Sequence, residues 1–312
     1  MAALPRLPRL PDPVLAFAER GPAWAAYVDA LPGRLAGLVE EWSLRAGTEL
    51  WWGETAVVLP VRDPDGSAAV LKVAFPDEET EHEALALQHW AGHGAVRLRR
   101  ADPRRRALLL DRLERTDLGD GWDVADCEQV AALYPLLHVA APPRLRRLSE
   151  YVGRQVEPLR ALPPQAPLPR RMVEQCLSLI GDLAGDERCD GVLVHGDLHY
   201  ANVLATDPDL AQWVAIDPKP LSGDPHWEPA PLLWNRWEEL AGDVRGGVRR
   251  RFHAVVDAAG LDEDRAVAWT VVRQVLGVLW VVQGAVAGGA RLGPAERDHV
   301  TRLVSVAKAV QE

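Results

Sequence analysis

Hydrophobic positions near the start of the chain recur at helical spacing. They group around Val14, Leu15 and Phe17, then Trp24, Tyr27, Val28 and Leu31, and run on through Leu35, Leu38, Val39 and Trp42. Pro22 and Pro32 divide this pattern into separate predicted helices. After Trp42 the period changes. Leu50–Trp52, Ala56–Arg62 and Ser67–Val73 read as strands, with Asp63-Pro64-Asp65-Gly66 as a strong turn between the last two. Thr80–Gly92 reads as a helix. Val96–Arg100 and Arg106–Asp111 read as a second hairpin, turning at Ala101-Asp102-Pro103. Further along, Cys127–His138 has the periodicity of one helix ending before Pro142-Pro143. The prolines from Pro158 to Pro169 read as a connector between helices, not as a partner-binding polyproline segment. A helix over Arg171–Leu183 then leads to a strand at Val192.

The strongly apolar stretch Ala266–Ala290 is the membrane candidate. Arg273, Gln274, Gln283 and several glycines interrupt it and no basic cluster flanks it, so the expectation is a buried helix and no membrane partner. A chain of 312 residues exceeds the usual single-domain size and predicts two lobes. The net charge of -10 argues against nucleic-acid binding by phosphate attraction and favours a cationic or neutral small molecule. Arg97, Arg99, Arg100, Arg104, Arg105 and Arg106 are interspersed with apolar residues, so they read as the solvated face and turn of a hairpin. Cys127, Cys176 and Cys189 stand at unrelated spacings and read as reduced thiols of a cytoplasmic protein. The early prolines Pro5, Pro8, Pro11 and Pro13, with no apolar signal core, argue against export. His89 and His93 have metal-ligand spacing, but nothing nearby completes a site.

Candidate chemistry concentrates in Val192-Leu-Val-His195-Gly-Asp197-Leu-His-Tyr-Ala-Asn202 and the following Trp213-Val-Ala-Ile-Asp217-Pro218. A strand at Val192 delivers Asp197 into a loop, Asn202 follows five residues later, and Asp217 arrives on the next hairpin strand. Two acids and an amide in this order suit magnesium-assisted phosphoryl transfer. One carboxylate accepts the proton of an attacking hydroxyl, while another, with an amide oxygen, ligates a hard cation.

These residues, His-Gly-Asp-Leu-His-x-x-Asn and a later Ile-Asp-Pro, resemble the catalytic core of the aminoglycoside phosphotransferase family. That resemblance implies an α+β, bilobal protein-kinase-like fold, with a small β-rich N-lobe over residues 1–113 and a mostly helical C-lobe over 114–312. It implies ATP and Mg2+ as cofactors, Asp197 as catalytic base, Asn202 and Asp217 as metal ligands, and His195 as a support of the loop. His199 reads as a packing residue. Lys72, in Ala69-Val70-Leu71-Lys72, would meet the nucleotide phosphates, held by Glu83, with Glu79 and Glu81 as alternatives. Backbone at Gly53 would approach phosphate oxygens, although no Gly-x-Gly-x-x-Gly or Walker-type motif is present. Asp111 and Leu113 fall where the family's lobes join, at the adenine edge.

Asp217-Pro-Lys-Pro-Leu-Ser-Gly-Asp224-Pro-His-Trp227-Glu228, together with the helix near Trp269–Trp280, is similar to the streptomycin 6-kinase and hydroxyurea phosphotransferase branch. By that similarity Asp197, Asp224, Trp227 and Glu228 line the acceptor site. Glu228 stands where the branch often has Asp, and Val281-Val282-Gln283 where it often has acids. A polycationic acceptor needs buried carboxylates; Glu228, Glu238, Glu239 and Asp243 are candidates, an exposed helix face being the plainer role of the last three. The implied partner is a small-molecule hydroxyl acceptor. It is an aminoglycoside of the streptomycin type or, because the acids are few, an amino sugar, another sugar or hydroxyurea. A pseudokinase is the remaining alternative.

Overall fold

The computed structural model describes residues 7–163, 165–210, 212–287 and 291–312. Pro5, Pro164 and the last three residues of the apolar stretch 266–290 lie outside the described residues. The chain separates into two compact units, Met1–Arg115 with Thr206–Gln212, and Thr116–Ala205 with Trp213–Glu312.

The first unit opens with α1 (Asp12–Leu15), a 3-10 turn and α2 (Pro22–Glu41). Pro22 takes the first turn of α2, where its missing N–H costs nothing. Pro32, expected to divide the pattern, lies inside the helix. An interior proline costs ~3 kcal/mol. One face of α2 buries Tyr27, Val28, Leu31, Leu35, Leu38 and Val39, and burial contributes about 1.5–3 kcal/mol for each large apolar side chain, so packing overrides the break. The sheet beneath it contains β1 (Arg45–Ala46), β2 (Trp51–Trp52), β3 (Ala56–Arg62), β4 (Ala68–Ala74), β5 (Leu98–Asp102) and β6 (Ala107–Asp111), in the order β1-β3-β4-β6-β5 with β2 also on β3. Gly66, at φ +88°, closes the β3–β4 turn by donating its N–H to Asp63 O at 2.9 Å. Tyr27 Oη donates to Val73 O at 2.8 Å, tying α2 to the sheet.

Helix α3 (Glu83–Trp90) starts three residues later than its pattern predicts. Thr80 N–H instead donates to Asp77 Oδ1 at 2.8 Å and its hydroxyl to Phe75 O at 2.9 Å, a side-chain-closed turn that competes with helix. The arginine-rich hairpin spends charge on its own unit. Arg99 meets Asp111 at 2.5 Å, and Arg105 meets Asp102 at 2.5 Å and Glu41 at 2.7 Å.

The second unit contains α4 (Asp123–Ala131), α5 (Tyr134–Leu137), α6 (Leu148–Gly153), α7 (Val156–Arg160) and α8 (Arg170–Ala184). It continues with strands β7 (Val192–Val194), β8 (Val203–Ala205), β9 (Trp213–Ala215) and β10 (Leu221–Gly223), and then α9 (Ala230–Trp234), α10 (Val244–Ala259), α11 (Glu263–Ala287) and α12 (Pro294–Ala309). The single helix expected over Cys127–His138 is two, because Pro135 cannot continue a helix whose carbonyl at Ala131 it would crowd. By length and composition α11 could cross a membrane. Its Trp269, Val272, Val275, Leu276 and Leu279 are buried in one core with Met172, Cys176 and Ile180 of α8 and Val300 and Leu303 of α12. Cys127, Cys176 and Cys189 are buried free thiols, and burial pushes each thiol up to about 12, which makes them inert.

Candidate active site

Strand β7 ends at Val194 and releases His195, Gly196 and Asp197 into a loop. It pairs antiparallel with β10, Val194 facing Leu221, so the segment preceding β10 runs back beside the loop. There Lys219 N–H donates to His195 O at 2.8 Å. Gly196 has φ +81°, and a Cβ on it would sit 2.2 Å from the Lys219 carbonyl oxygen, so backbone lies against backbone and only glycine fits. His195 is fully buried, and burial lowers its ring pKa. Its Nδ1 accepts Asp197 N–H at 3.2 Å and its Nε2 lies 2.9 Å from Ile216 O. A neutral ring with the proton on Nε2 satisfies both, and the histidine thereby ties the loop to the segment after β9.

The short β8–β9 hairpin brings the other two residues together. Val203 faces Ala215, and Ile216 N–H donates to Asn202 O at 2.9 Å, so Asn202 before β8 and Asp217 after β9 lie at the same end. Asp217 is thus two residues beyond its strand rather than on it, and it adopts φ +56°. Asp is one of the few residues that tolerate this left-handed conformation, and backbone held there is a recurrent feature of functional sites. Asn202 Nδ2 donates to Asp197 O at 2.8 Å, which sets the flip of the amide and leaves Oδ1 as the available acceptor. One carboxylate and one amide oxygen form a hard donor set of the kind magnesium takes alongside water and phosphate oxygens, so the residues fit the metal.

Asp197 itself is paired with Lys219, Nζ to Oδ2 at 3.0 Å. Burial alone would raise its carboxyl, but Lys219 and Arg273 outweigh it and hold the group below the ordinary carboxylate value. It is therefore ionised and able to accept a proton. The His199 ring is pushed down, chiefly by burial, and stays neutral.

In the first unit, Lys72 lies on β4 between Val58 and Leu108, and its Nζ meets Glu83 Oε1 at 2.6 Å, both side chains buried. Glu83 is the first residue of α3. Gly53 departs from expectation: its N–H is committed to Ala56 O at 3.0 Å within the hairpin, so that amide is not offered to a phosphate. Asp111 N–H donates to Arg97 O and its carboxylate receives Arg99, while Leu113 is half-buried just beyond β6.

The three remaining acceptor candidates are corrected by burial. Glu228 is 0% exposed and its Oε1 accepts the backbone N–H of His195 and, at 3.2 Å, of Gly196. It grips the His195–Gly196 backbone from inside the protein. Burial would raise its carboxyl, but His138 at 3.8 Å and Arg273 keep it below the usual range and charged. Asp224 is buried, capping the Pro225–Trp227 turn and receiving Arg265 Nε at 2.6 Å and Trp269 Nε1 at 2.7 Å. Trp227 packs edge-on against Trp269 and Tyr151. The residue pattern did not single out Arg273, which joins Trp227 to the His195–Asp197 loop. Arg273 donates to Trp227 O at 3.0 Å and to Gly196 O, with its guanidinium 4.7 Å from the Trp227 ring centroid. A lone arginine inside an apolar helix was the available signal. Glu238 and Glu239 pair with arginines, and Asp243 caps α10.

Glu228→Ala is expected to leave two buried N–H groups without an acceptor, at about 1–3 kcal/mol each. Urea denaturation of the variant should show a lowered midpoint and kinetics a slower turnover. An unchanged midpoint would remove the carboxylate from this role.

An acid in the loop after β7, with an amide and a second acid at one end of the β8–β9 hairpin, stands here in the α+β protein-kinase-like fold of a small-molecule kinase. The chain is a member of the aminoglycoside/hydroxyurea antibiotic resistance kinase family, whose model matches residues 41–284. It is 39% identical over 302 residues to a streptomycin 6-kinase of Streptomyces glaucescens, covering 93% of this chain and 95% of that protein. It is 38% identical over 273 residues to a hydroxyurea phosphotransferase of Kitasatospora aureofaciens, covering 84% and 76%. Among solved structures, choline kinase LicA from Streptococcus pneumoniae has the same fold at TM-score 0.62 and 17% identity, over 89% of this chain and 99% of that one. A thermostable mutant of aminoglycoside phosphotransferase APH(4)-Ia, in ternary complex with ADP and hygromycin B, matches at TM-score 0.56 and 17% identity, over 88% and 97%.

Proposed function

We propose that the protein transfers the γ-phosphoryl group of ATP to a hydroxyl of a streptomycin-type aminoglycoside. The observation that carries this reading is the meeting of Asn202 and Asp217 at one end of the β8–β9 hairpin, with the Asn202 amide bonded to the Asp197 carbonyl. Asp197 accepts the acceptor's hydroxyl proton on its carboxylate as the oxygen attacks phosphorus. Lys72, oriented by Glu83, holds nucleotide phosphates. Asn202 Oδ1 and the Asp217 carboxylate would hold magnesium, which neutralises charge on the phosphate oxygens when bound. Glu228, Arg273 and His195 keep the loop in place and touch neither substrate. The buried reduced thiols suit action in the cytoplasm.

A second acceptor class has a specific observation behind it. The acids named for a polycationic acceptor are already engaged, Glu228 by buried donors, Glu238 and Glu239 by arginines, and Asp243 by the α10 N-terminus and Arg250. An acceptor of lower charge, such as an amino sugar, another sugar or hydroxyurea, needs fewer carboxylates. Steady-state kcat/KM with ATP and streptomycin, glucosamine, glucose and hydroxyurea decides between the two. Streptomycin is expected to be phosphorylated. A chain that transfers phosphate only to the low-charge acceptors would establish the second reading, and no transfer to any of them would defeat both.

A further inference from the structure

We infer that Lys219 is a further catalytic residue, its ammonium binding the phosphoryl group as it passes from nucleotide to acceptor. The inference rests on the kinase reading of the Asp197 loop and adds to it a cation that the residue pattern does not single out.

Geometry carries it. Lys219 Nζ stands 3.0 Å from Asp197 Oδ2. The proton that Asp197 takes and the new O–P bond share one atom, the acceptor oxygen, so a cation touching the base is also within reach of the equatorial phosphoryl oxygens. Of the two side chains, Lys219 is the more open, 37% exposed against 18% for Asp197. The backbone is held far more firmly than an ordinary surface ion pair requires. Lys219 N–H is bonded to His195 O at 2.8 Å, and its carbonyl lies against Gly196 closely enough to exclude any Cβ there. Pro218 and Pro220 on either side are buried, and Pro220 restricts Lys219 before it to few conformations.

In the step itself, the acceptor hydroxyl gives its proton to Asp197, its oxygen forms the bond to phosphorus, and the bond from phosphorus to the β–γ bridging oxygen breaks with its electron pair left on ADP. Lys219 stays protonated throughout. It donates N–H bonds to oxygens whose charge is redistributed in the transition state, the condition under which a preorganised donor accelerates a reaction.

The test compares wild type with Lys219→Met and Lys219→Arg, by kinetics with ATP and by calorimetric binding of ADP and of ADP with aluminium fluoride, each with magnesium. Removal of one such donor costs on the order of 10² to 10³ in kcat. Lys219→Met is expected to show that loss with the KM for ATP and the Kd for ADP changed less than about threefold, and to lose the tighter binding that aluminium fluoride confers on wild type. Lys219→Arg should recover part of both. A lysine that only steadies the loop would leave the aluminium fluoride enhancement intact, and that result overturns the inference, as does kcat within threefold of wild type in Lys219→Met. Should the Met variant not fold, Lys219→Gln takes its place in both measurements. Absence of phosphoryl transfer by wild type to any acceptor would instead overturn the kinase reading, and this inference with it.

Discussion

Asp197→Asn is expected to bind ADP like the wild type and to lose turnover by about 10² to 10⁴, the usual cost of removing a general base. The substitution is nearly isosteric, and the backbone bonds that place the loop survive it: Asp197 N–H to His195 Nδ1, and Asn202 Nδ2 to Asp197 O. What disappears is an ionised carboxylate, kept charged against burial by Lys219 and Arg273. An amide at that position can accept a hydrogen bond but cannot carry the proton away. The check is kcat with a verified acceptor beside calorimetric Kd for ADP. A variant with near-normal kcat would take Asp197 out of the base role.

Asp217→Asn should be comparably damaging through the metal. Asn tolerates the left-handed backbone that Asp217 occupies, at φ +56°, so the hairpin end is preserved where alanine would add strain. Loss of the carboxylate leaves two amide oxygens as protein ligands. Metal stabilisation of phosphoryl charge is worth several kcal/mol, so kcat should fall on the order of 10²- to 10⁴-fold at a magnesium concentration that saturates wild type. Asn202→Ala, which keeps the carboxylate, should raise the magnesium needed for half-maximal activity and retain part of the rate. Titrating kcat and ADP affinity against magnesium for all three proteins tests the pair; identical magnesium dependence throughout would refute the assignment.

The fold class was legible because the residue pattern in Asp197, Asn202 and Asp217 is tied to a strand, loop and hairpin that are local in the chain. The pairing of Lys72 with Glu83 was legible for a similar reason, since one strand end and the next helix start are separated by a short connection. Element boundaries were less so. The break at Pro32 was overridden by the buried face of α2, while the equally ordinary Pro135 did end a helix. Nothing in either proline's own neighbourhood states how much apolar surface will be buried against it.

Residue types and short spacings determined which atoms can accept a proton, ligate a hard cation or pair with an ammonium, because those properties belong to side chains and to stretches of backbone a few residues long. The family resemblance lives at that level. Tertiary structure decided which carboxylates are exposed to a substrate and which are consumed by the protein. Glu228 and Asp224 look like acceptor ligands in a polar, proline-rich loop, yet they are turned inward to satisfy the N–H groups of His195 and Gly196, Arg265 and Trp269. Arg273 reads as an interruption of an apolar helix, and it bonds the Gly196 carbonyl. Lys219 reads as one residue of a connector, and it meets Asp197. For Glu228, Asp224 and Arg273 the physical reason is common: a charge taken out of water must find a partner, and that partner comes from whichever distant segment packing brings alongside.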